Sequence, residues 1–443
     1  MTVNKKVVFC ASDLEEKYYR GIGFYAQSVI KSTKKLGYNN YLLTSAKNNQ
    51  IINLQQLNIL RNFDDPIEPS LRRIALDYIS TSIGKKKAKE VNQVPSSYYN
   101  NNKLNYLSAI DGYINHTSIY KTIDLHAVLS KSAFKVDTKK ADILFSTAPS
   151  PVKNNYKNGL TIQTIHDLIP LVTLYHPAAN RFNSLFYKNV LGALKYSDLI
   201  LTISEFSKQE ILKTFPDSKY EEKIKVIYQP IPIDEADKKV AENEIFNEGI
   251  LNKYKLEKQN YILYVGALEM RKNIDLLIDA YSTIKDKIKM PLILVGSLGY
   301  GKETFIDKID IDPDSKNVRI TKRNYASVRH IGYVNDLEKL ILLRNANCFV
   351  FPSLYEGFGL PSLEAMSMGC PVLTSRISAI PEACQDAALY VNPNNIAEIA
   401  EGILEMVNNN TLREELIIKG EKLSSKYTFD NYQSQVAKIL SDL

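Results

Sequence analysis

The sequence is poor in the features that mark metal centres, disulfide scaffolds and membrane spans. It carries four cysteines in 443 residues, Cys10, Cys348, Cys370 and Cys384. None forms a C-x-x-C pair or a metal-type spacing, so neither a disulfide framework nor a zinc site is expected. Cys10 and Cys348 lie in apolar runs and read as small core residues of a reducing cytoplasm. No run of 18 apolar residues occurs, and no charged-then-apolar leader follows Met1. The expectation is therefore a cytoplasmic chain without a membrane-spanning helix. The glycine run G-I-G-F-Y, with Gly21 and Gly23, lacks a third glycine because Ala26 stands in its place. That excludes a dinucleotide fingerprint of the G-x-G-x-x-G type.

The composition, 44% hydrophobic and 24% charged, suits two or three globular domains. The net charge of +7 is unevenly placed. Residues 1–235 hold 31 Lys and Arg against 21 Asp and Glu, while residues 236–443 hold 25 against 28. A basic first half suits an anionic acceptor, or peripheral contact with an anionic membrane at the inner face of the cell membrane. A Lys-rich solvated surface explains the same numbers. Nothing points to a nucleic-acid partner.

The most informative stretch is 351–364, F-P-S-L-Y-E-G-F-G-L-P-S-L-E. It joins an apolar strand, 348–351, to a helical run, 360–368. Gly357 and Gly359 let the backbone bend and approach a ligand. The following helix points unpaired N–H groups into the turn, a site for an anion such as a diphosphate. Glu356 and Glu364 frame it. Carboxylates repel phosphate, so they are expected to serve hydroxyls, one for each sugar joined by the diphosphate. The plainer alternative is a βα turn that needs glycines and happens to carry two Glu.

In chain order, 5–12 reads as a buried parallel strand, followed by the Gly21–Gly23 loop and a helix to about Lys35. Residues 38–45 read as a second strand. From about 48 to 140 the pattern loosens. This segment holds K-K-K-A-K at 85–89 and a polar, Tyr-rich run at 98–106, and reads as a solvated insertion, with an acceptor or membrane contact as the alternative. Strands return at 142–147 and 160–165. The second ends in H-D-L-I-P, placing His166 and Asp167 where parallel sheets do chemistry; a pair that caps a loop is the alternative. Helix 183–196 and strand 199–204 follow, with Ser204 placed to cap the next helix. Residues 226–232 close the first domain, and the charged stretch 234–248 reads as a linker. The second domain restarts with strand 261–267 and helix 273–281, which sets Ile274, Leu277, Ile278 and Tyr281 on one face. Arg271 and Lys272 stand at its entrance, where two cations oppose the macrodipole and a bound anion would relieve the conflict. After strand 291–296 the charged loop 299–324 carries D-I-D-P-D at 310–314, read as a solvated acidic loop rather than a metal site. Further strands are expected at 328–334, 371–375 and 388–391, helices at 336–346 and from about 395, and a last helix near 430–443.

The string 351–364 resembles the E-x7-E signature of retaining glycosyltransferases of family 4, and T-I-H-D-L-I-P and R-K-N are similar to strings of its bacterial mannosyltransferase-like branch. The resemblance implies an α/β protein with two Rossmann-like, doubly wound domains facing a cleft, the GT-B fold. It implies an acceptor-binding domain over 1–235 with the insertion near 48–140. A nucleotide-sugar-binding domain would cover 250–427, and a helix over 428–443 would cross back to the first. It also implies roles. Glu356 would contact hydroxyls of the transferred sugar and Glu364 the ribose. Gly357, Phe358, Gly359 and Leu360 would hold the phosphates through turn amides. Lys272 matches the family's lysine, and Arg271 replaces an arginine that commonly stands where this chain has Ala267. His166 would contact the transferred sugar near the reacting carbon, and main-chain groups around Tyr333 the nucleobase. The loop of Arg20, Gly21, Ile22 and Gly23 would lie across the cleft from the diphosphate. Ser204 occupies the position of a serine that the family shares.

The expected activity is transfer of a sugar from a nucleotide-sugar to a glycan or lipid-linked glycan in cell-envelope polysaccharide assembly, with retained configuration. GDP-mannose is the first choice of donor; UDP-sugars and dTDP-rhamnose remain open. No carboxylate is placed as a nucleophile, which favours a front-face route. Fixed cations and amides would stabilise the leaving diphosphate, so no cofactor and no metal are expected. The rival reading is a non-catalytic sugar-nucleotide-binding protein on the same fold.

Overall fold

The computed structural model describes residues 5–16, 21–48, 50–64, 68–82, 84, 87–93, 102–173, 179–298, 310–311, 319–320 and 328–443. These fall into two compact units. The first comprises Met1–Leu171, Asn180–Pro230 and Phe429–Leu443; the second comprises Val172–Ala179 and Ile231–Thr428.

The first unit is built on strands β1 (Lys6–Cys10), β2 (Asn39–Thr44), β3 (Lys89–Asn92), β4 (Gly112–Asn115), β6 (Ile143–Ser146), β8 (Leu160–Thr164), β9 (Leu199–Thr202) and β10 (Ile224–Val226). A separate two-stranded parallel sheet pairs β5 (Phe134–Val136) with β7 (Val152–Asn154). The main sheet runs β10-β9-β8-β6-β1-β2-β4-β3, parallel except where β3 meets β4. Val7, Val8 and Phe9 of β1 are wholly buried, as a parallel strand covered on both faces requires. One face packs on helix Gly21–Lys35 and on the C-terminal helix Phe429–Ser441, through Tyr25, Val29, Tyr432 and Val436. Chain order turns back at β1: β2 and β4 extend one way, β6 to β10 the other. Such a switch point opens a crevice at the C-terminal strand ends.

The second unit repeats the plan with β11 (Ile262–Val265), β12 (Leu292–Val295), β13 (Asp310–Ile311), β14 (Arg319–Ile320), β15 (Val328–Gly332), β16 (Cys348–Phe351), β17 (Val372–Ser375) and β18 (Ala388–Val391). Their order is β13-β14-β15-β12-β11-β16-β17-β18, with β13 and β14 antiparallel. Here the chain reverses between β11 and β16, so the loops after these two strands share one crevice. Among the described residues no helix is long and apolar enough to cross a membrane, and the four cysteines are free and buried.

Three expectations need correction. Residues 48–140, where described, are not a solvated insertion. Their described part supplies β3, β4 and the helices Ile52–Asp64, Leu71–Ser82 and Ile119–Leu129. It also buries Ile59, Phe63, Leu107, Ile110 and Tyr113 in the core of the first unit. Asn and Gln between the apolar positions blurred the periodicity, and an antiparallel edge strand needs only four residues. Lys85, Lys86 and residues 98–101 lie outside the described residues. Next, the stretch 234–248 is not a free linker. Asp234 and Asn243 accept from Ala236 N (2.8 Å) and Ile245 N (3.0 Å), capping helices Glu235–Ala241 and Glu244–Lys253. Finally, Gly21 and Gly23 belong to the first turn of helix Gly21–Lys35 rather than to a loop before it. Arg20 lies outside the described residues, as does most of 310–314.

Candidate functional site

At the switch point of the second unit, two loops leave neighbouring strands and are tied together. The chain leaves β11 through Gly266, whose carbonyl oxygen would lie 2.0 Å from a Cβ at Gly296, so only glycine permits this approach after β12. A short 3-10 turn, Met270–Lys272, then leads to helix Ile274–Ile288. Between them Asn273 takes a left-handed conformation (φ 64°), tolerable for Asn. Its side-chain amide donates to Pro352 O (3.1 Å) and Pro393 O (2.6 Å). Leu354 N and Ser353 Oγ donate back to Arg271 O at 2.8 and 3.2 Å. The cation-bearing loop and the glycine turn are therefore one rigid body.

Glu356 is the centre of this body. Its Oε1 accepts from Lys272 Nζ (2.6 Å), Ser353 Oγ (2.7 Å) and Arg271 Nη1 (3.0 Å). Arg271 Nη1 also donates to Tyr355 O (2.7 Å), and Nη2 lies 3.5 Å from Glu269 Oε2. The Lys272 ammonium sits 4.7 Å from the centre of the Phe351 ring. Lys272 and Glu356 are each 7% exposed. Burial pushes the Glu356 carboxyl up, but the Lys272 and Arg271 charges, with hydrogen bonds from Lys272 and Ser353, outweigh it and hold the group below the usual carboxylate range. The cations thus have carboxylate partners of their own, and they stand in the turn before the helix rather than in its first turn. The macrodipole conflict inferred from sequence is relieved without a ligand.

The glycine turn ends at Gly359, φ 109°, which caps helix Leu360–Ser367 with Pro361 in its first turn. Phe358 is buried, edge-on to Tyr427 at 5.5 Å, so its side chain packs and only its main chain faces the turn. Glu364, on that helix, pairs with Lys339 at 2.7 Å; Lys339 also reaches Asp336 at 3.3 Å. Burial lowers the Lys339 ammonium, but the Glu364 and Asp336 charges more than reverse this and raise it. Tyr333 follows β15 and is 73% exposed.

In the first unit His166 follows β8, 8% exposed. Its Nε2 lies 2.9 Å from Thr147 O, which follows β6, and its Nδ1 lies 3.3 Å from Gln229 Nε2. Burial pulls the imidazole down to about 4, against a raising effect of the Thr147 bond. Asp167 Oδ1 accepts from Ile169 N at 2.9 Å, the loop-capping role. Ser204 Oγ accepts from Ser207 N (3.0 Å) and donates to Ser207 Oγ (2.9 Å), capping helix Glu205–Thr214. Gly21 is exposed at its helix start and Gly23 is buried.

Arg271, Lys272, Glu356 and residues 357–360 are thus brought together in one unit, with Glu364 on the adjoining helix and Tyr333 after β15. His166, Ser204, Gly21 and Gly23 belong to the other unit. Sequence reasoning missed Ser353, Lys339 and Gln229. Ser353 stands inside the motif and was readable as a hydroxyl three residues before Glu356. The other two meet their partners only through the fold. No group of His, Cys, Asp and Glu among the described residues could hold a metal ion.

Residues 247–423 match the family described as Glycosyl transferases group 1. The chain is 33% identical to O-antigen chain mannosyltransferase B of Escherichia coli over 281 residues, 62% of this chain and 68% of that protein. It is 28% identical to O-antigen chain mannosyltransferase RfbU of Salmonella typhimurium, over 63% of this chain and 69% of that one. To the serotype-specific mannosyltransferase WbdA of Escherichia coli it is 27% identical, but over only 32% of that longer protein. Among solved structures, WaaG, a glycosyltransferase involved in lipopolysaccharide biosynthesis, has a TM-score of 0.58 at 15% identity, covering 98% of this chain and 99% of that one. Anabaena HepE in complex with UDP-glucose has a TM-score of 0.58 at 16% identity, over 99% and 100%. These likenesses show the GT-B fold, two Rossmann-like α/β domains.

Proposed function

Because this chain belongs to the Glycosyl transferases group 1 family and is a glycosyltransferase, we propose that it moves mannose from GDP-mannose to a glycan or lipid-linked glycan in cell-envelope polysaccharide assembly, with retention. The observation that carries the reading is the convergence of Lys272, Arg271 and Ser353 on Glu356 beside a glycine turn at the switch point. The sugar and its destination rest on the O-antigen relatives.

In this reading the diphosphate lies over the turn amides of Gly357, Phe358, Gly359 and Leu360 and accepts from Lys272 and Arg271. Glu364 accepts from the ribose hydroxyls, held in place by Lys339. Glu356 orients hydroxyls of the transferred sugar, and main-chain groups near Tyr333 meet the base. As the bond from the anomeric carbon to the diphosphate oxygen breaks, charge grows on that oxygen. Fixed cations and amides stabilise it without reorganising. The acceptor hydroxyl bonds to the same face of the anomeric carbon, and its proton passes to the departing diphosphate. Fixed positive charge makes a metal unnecessary. The acceptor belongs to the basic first unit, which also suits peripheral contact with an anionic membrane.

A thermal-shift panel of nucleotide sugars tests the donor, since a ligand that binds the folded chain raises its stability by mass action. GDP-mannose is expected to give the largest shift, followed by transfer to a lipid-linked glycan. A larger shift with a UDP-sugar or dTDP-rhamnose would replace the donor. A shift without transfer or donor hydrolysis would favour the binding protein over the enzyme.

A further inference from the structure

We propose that Gln229 is a positioning residue that fixes His166 as a neutral, Nε2-protonated imidazole, so that the ring acts as a fixed uncharged surface and not as a proton carrier. The assignment follows from hydrogen-bond chemistry. Thr147 O, 2.9 Å from Nε2, is a carbonyl and can only accept, so Nε2 must carry a proton. With the ring neutral, Nδ1 is then an acceptor, and the Gln229 amide at 3.3 Å is its donor. Both ring nitrogens are spent inside the protein.

The surroundings hold the ring in this state. Tyr25 packs edge-on to it, with ring centres 4.8 Å apart, while its own hydroxyl pairs with Thr164 Oγ1 at 2.8 Å. Burial pushes Tyr25 up to about 12 and raises Tyr432 behind it, so both phenols stay neutral. Burial disfavours a proton on the second nitrogen of His166, and the Thr147 bond opposes this only in part. Gln229 is braced in turn, because Tyr228 N donates to Gln435 Oε1 of the C-terminal helix at 3.2 Å. Both sides of the imidazole therefore lead to helix Phe429–Ser441, one through Tyr25 and Tyr432 (ring centres 6.3 Å apart), the other through Gln229 and Gln435. A buried carboxylate at position 229 would demand a proton on Nδ1 and create an imidazolium.

The role in transfer rests on the reading of His166 as a donor-sugar contact; the tautomer does not. The full chain carrying 15N-histidine is titrated from pH 5 to 8, with the His166 signals among the five histidines identified by loss in His166→Asn. The native ring is expected to show one protonated nitrogen, Nε2, throughout. Gln229→Glu is expected to hold a second proton on the ring and to add an ionisation to the pH profile of kcat. Gln229→Leu is expected to lower kcat by up to about 10²-fold, the scale of misplaced reacting groups, with donor KM little changed. An Nδ1–H tautomer, a native ring that titrates near its ordinary value, or Gln229→Glu signals identical to native would overturn the lock. Native kcat in Gln229→Leu would overturn the positioning role. Native transfer by His166→Asn would instead remove the sugar-contact reading and leave the tautomer to the nitrogen signals. The native titration decides the tautomer even where a variant fails to fold.

Discussion

Replacing Lys272 by methionine separates its charge from its packing. Methionine keeps an unbranched stem against Phe351 and removes the ammonium that stands 2.6 Å from Glu356. Losing one partner of a buried ion pair outright costs about 3–5 kcal/mol. Glu356 keeps Arg271 at 3.0 Å and Ser353 at 2.7 Å, so the loss is nearer that of one charge-assisted hydrogen bond, about 1.5–3 kcal/mol. For a domain of this size that lowers Tm by roughly 3–10 °C. Turnover is expected to fall further, by about 10²–10³, because in the proposed reading the same ammonium stabilises the leaving diphosphate. The assay is single-turnover transfer beside calorimetry, with Glu356→Gln completing a double-mutant cycle. A coupling of about 0.5–3 kcal/mol in stability is expected from direct contact. Near-native transfer in a folded Lys272→Met variant would refute the phosphate role. A loss of stability with no loss of turnover would reduce the pair to architecture.

Glu364→Ala is expected to weaken nucleotide binding by about one to two decades, measured by calorimetry, because the proposed reading makes this carboxylate the ribose acceptor. Lys339→Met should act in the same direction and add little to Glu364→Ala, since Lys339 works through that carboxylate; additive losses would refute the linkage. Transfer should continue in excess EDTA at close to the untreated rate, and Asp312→Ala should change it little; abolition by EDTA with rescue by magnesium or manganese would overturn the fixed-cation mechanism. His166 should contribute a component of acid lability that begins above the carboxylate range. The folded His166 is depressed to about 4 from an ordinary 6.5, so its own contribution to stability is full above about 6.5 and is lost as pH falls toward about 4, a loss of order 3 kcal/mol. Glu356, also depressed on folding, adds a further loss below the ordinary carboxylate value. Buried Glu15 and half-buried Asp13, raised to about 7 and about 6, act with the opposite sign in the same window. Urea unfolding at stepped pH is therefore compared between the native chain and His166→Asn, and an identical pH dependence from 7 to 5 in the two would contradict the buried neutral histidine.

Legibility in the sequence followed the strength of periodicity. The strand Cys348–Phe351 and the helix beginning at Leu360 were readable to the residue, because four consecutive buried positions end at a glycine turn. The amphipathic face of Ile274, Leu277, Ile278 and Tyr281 is buried as its spacing requires. The segment 48–140 was not readable. Its strand β4, G-Y-I-N, is buried at every position yet carries only two strongly apolar side chains. Asn115 in it spends its amide on Ala46 O (2.9 Å) and accepts from Thr44 (2.7 Å), which satisfies a polar group in the core and hides the strand from a hydropathy reading. At the site, residue types were legible and partnerships were not. Lys339 lies 25 positions from Glu364 and Gln229 lies 63 from His166, separations that no local pattern encodes.

In the proposed reading the partnerships change how the donor is selected. From sequence, Arg271 and Lys272 look like surplus positive charge awaiting an anion. In the structure they face Glu356 and Glu269, and Lys339 faces Glu364 and Asp336, so each cation already has a carboxylate. Surplus charge alone would attract any phosphate, free nucleotide diphosphate included. In the proposed reading, a diphosphate that draws Lys272 and Arg271 toward itself weakens their hold on Glu356. That carboxylate is buried, and an unpaired buried charge costs several kcal/mol. A sugar hydroxyl donating to Glu356 offsets the loss, whereas a nucleotide diphosphate without its sugar leaves Glu356 with Ser353 as its principal donor. The penalty falls on the incomplete ligand, and specificity that arises from an unpaired group in the wrong complex is the stronger kind. Glu356 then serves two ends with one position. It neutralises the cations while the site is empty, and it makes their release to the diphosphate conditional on a sugar with hydroxyls within its reach.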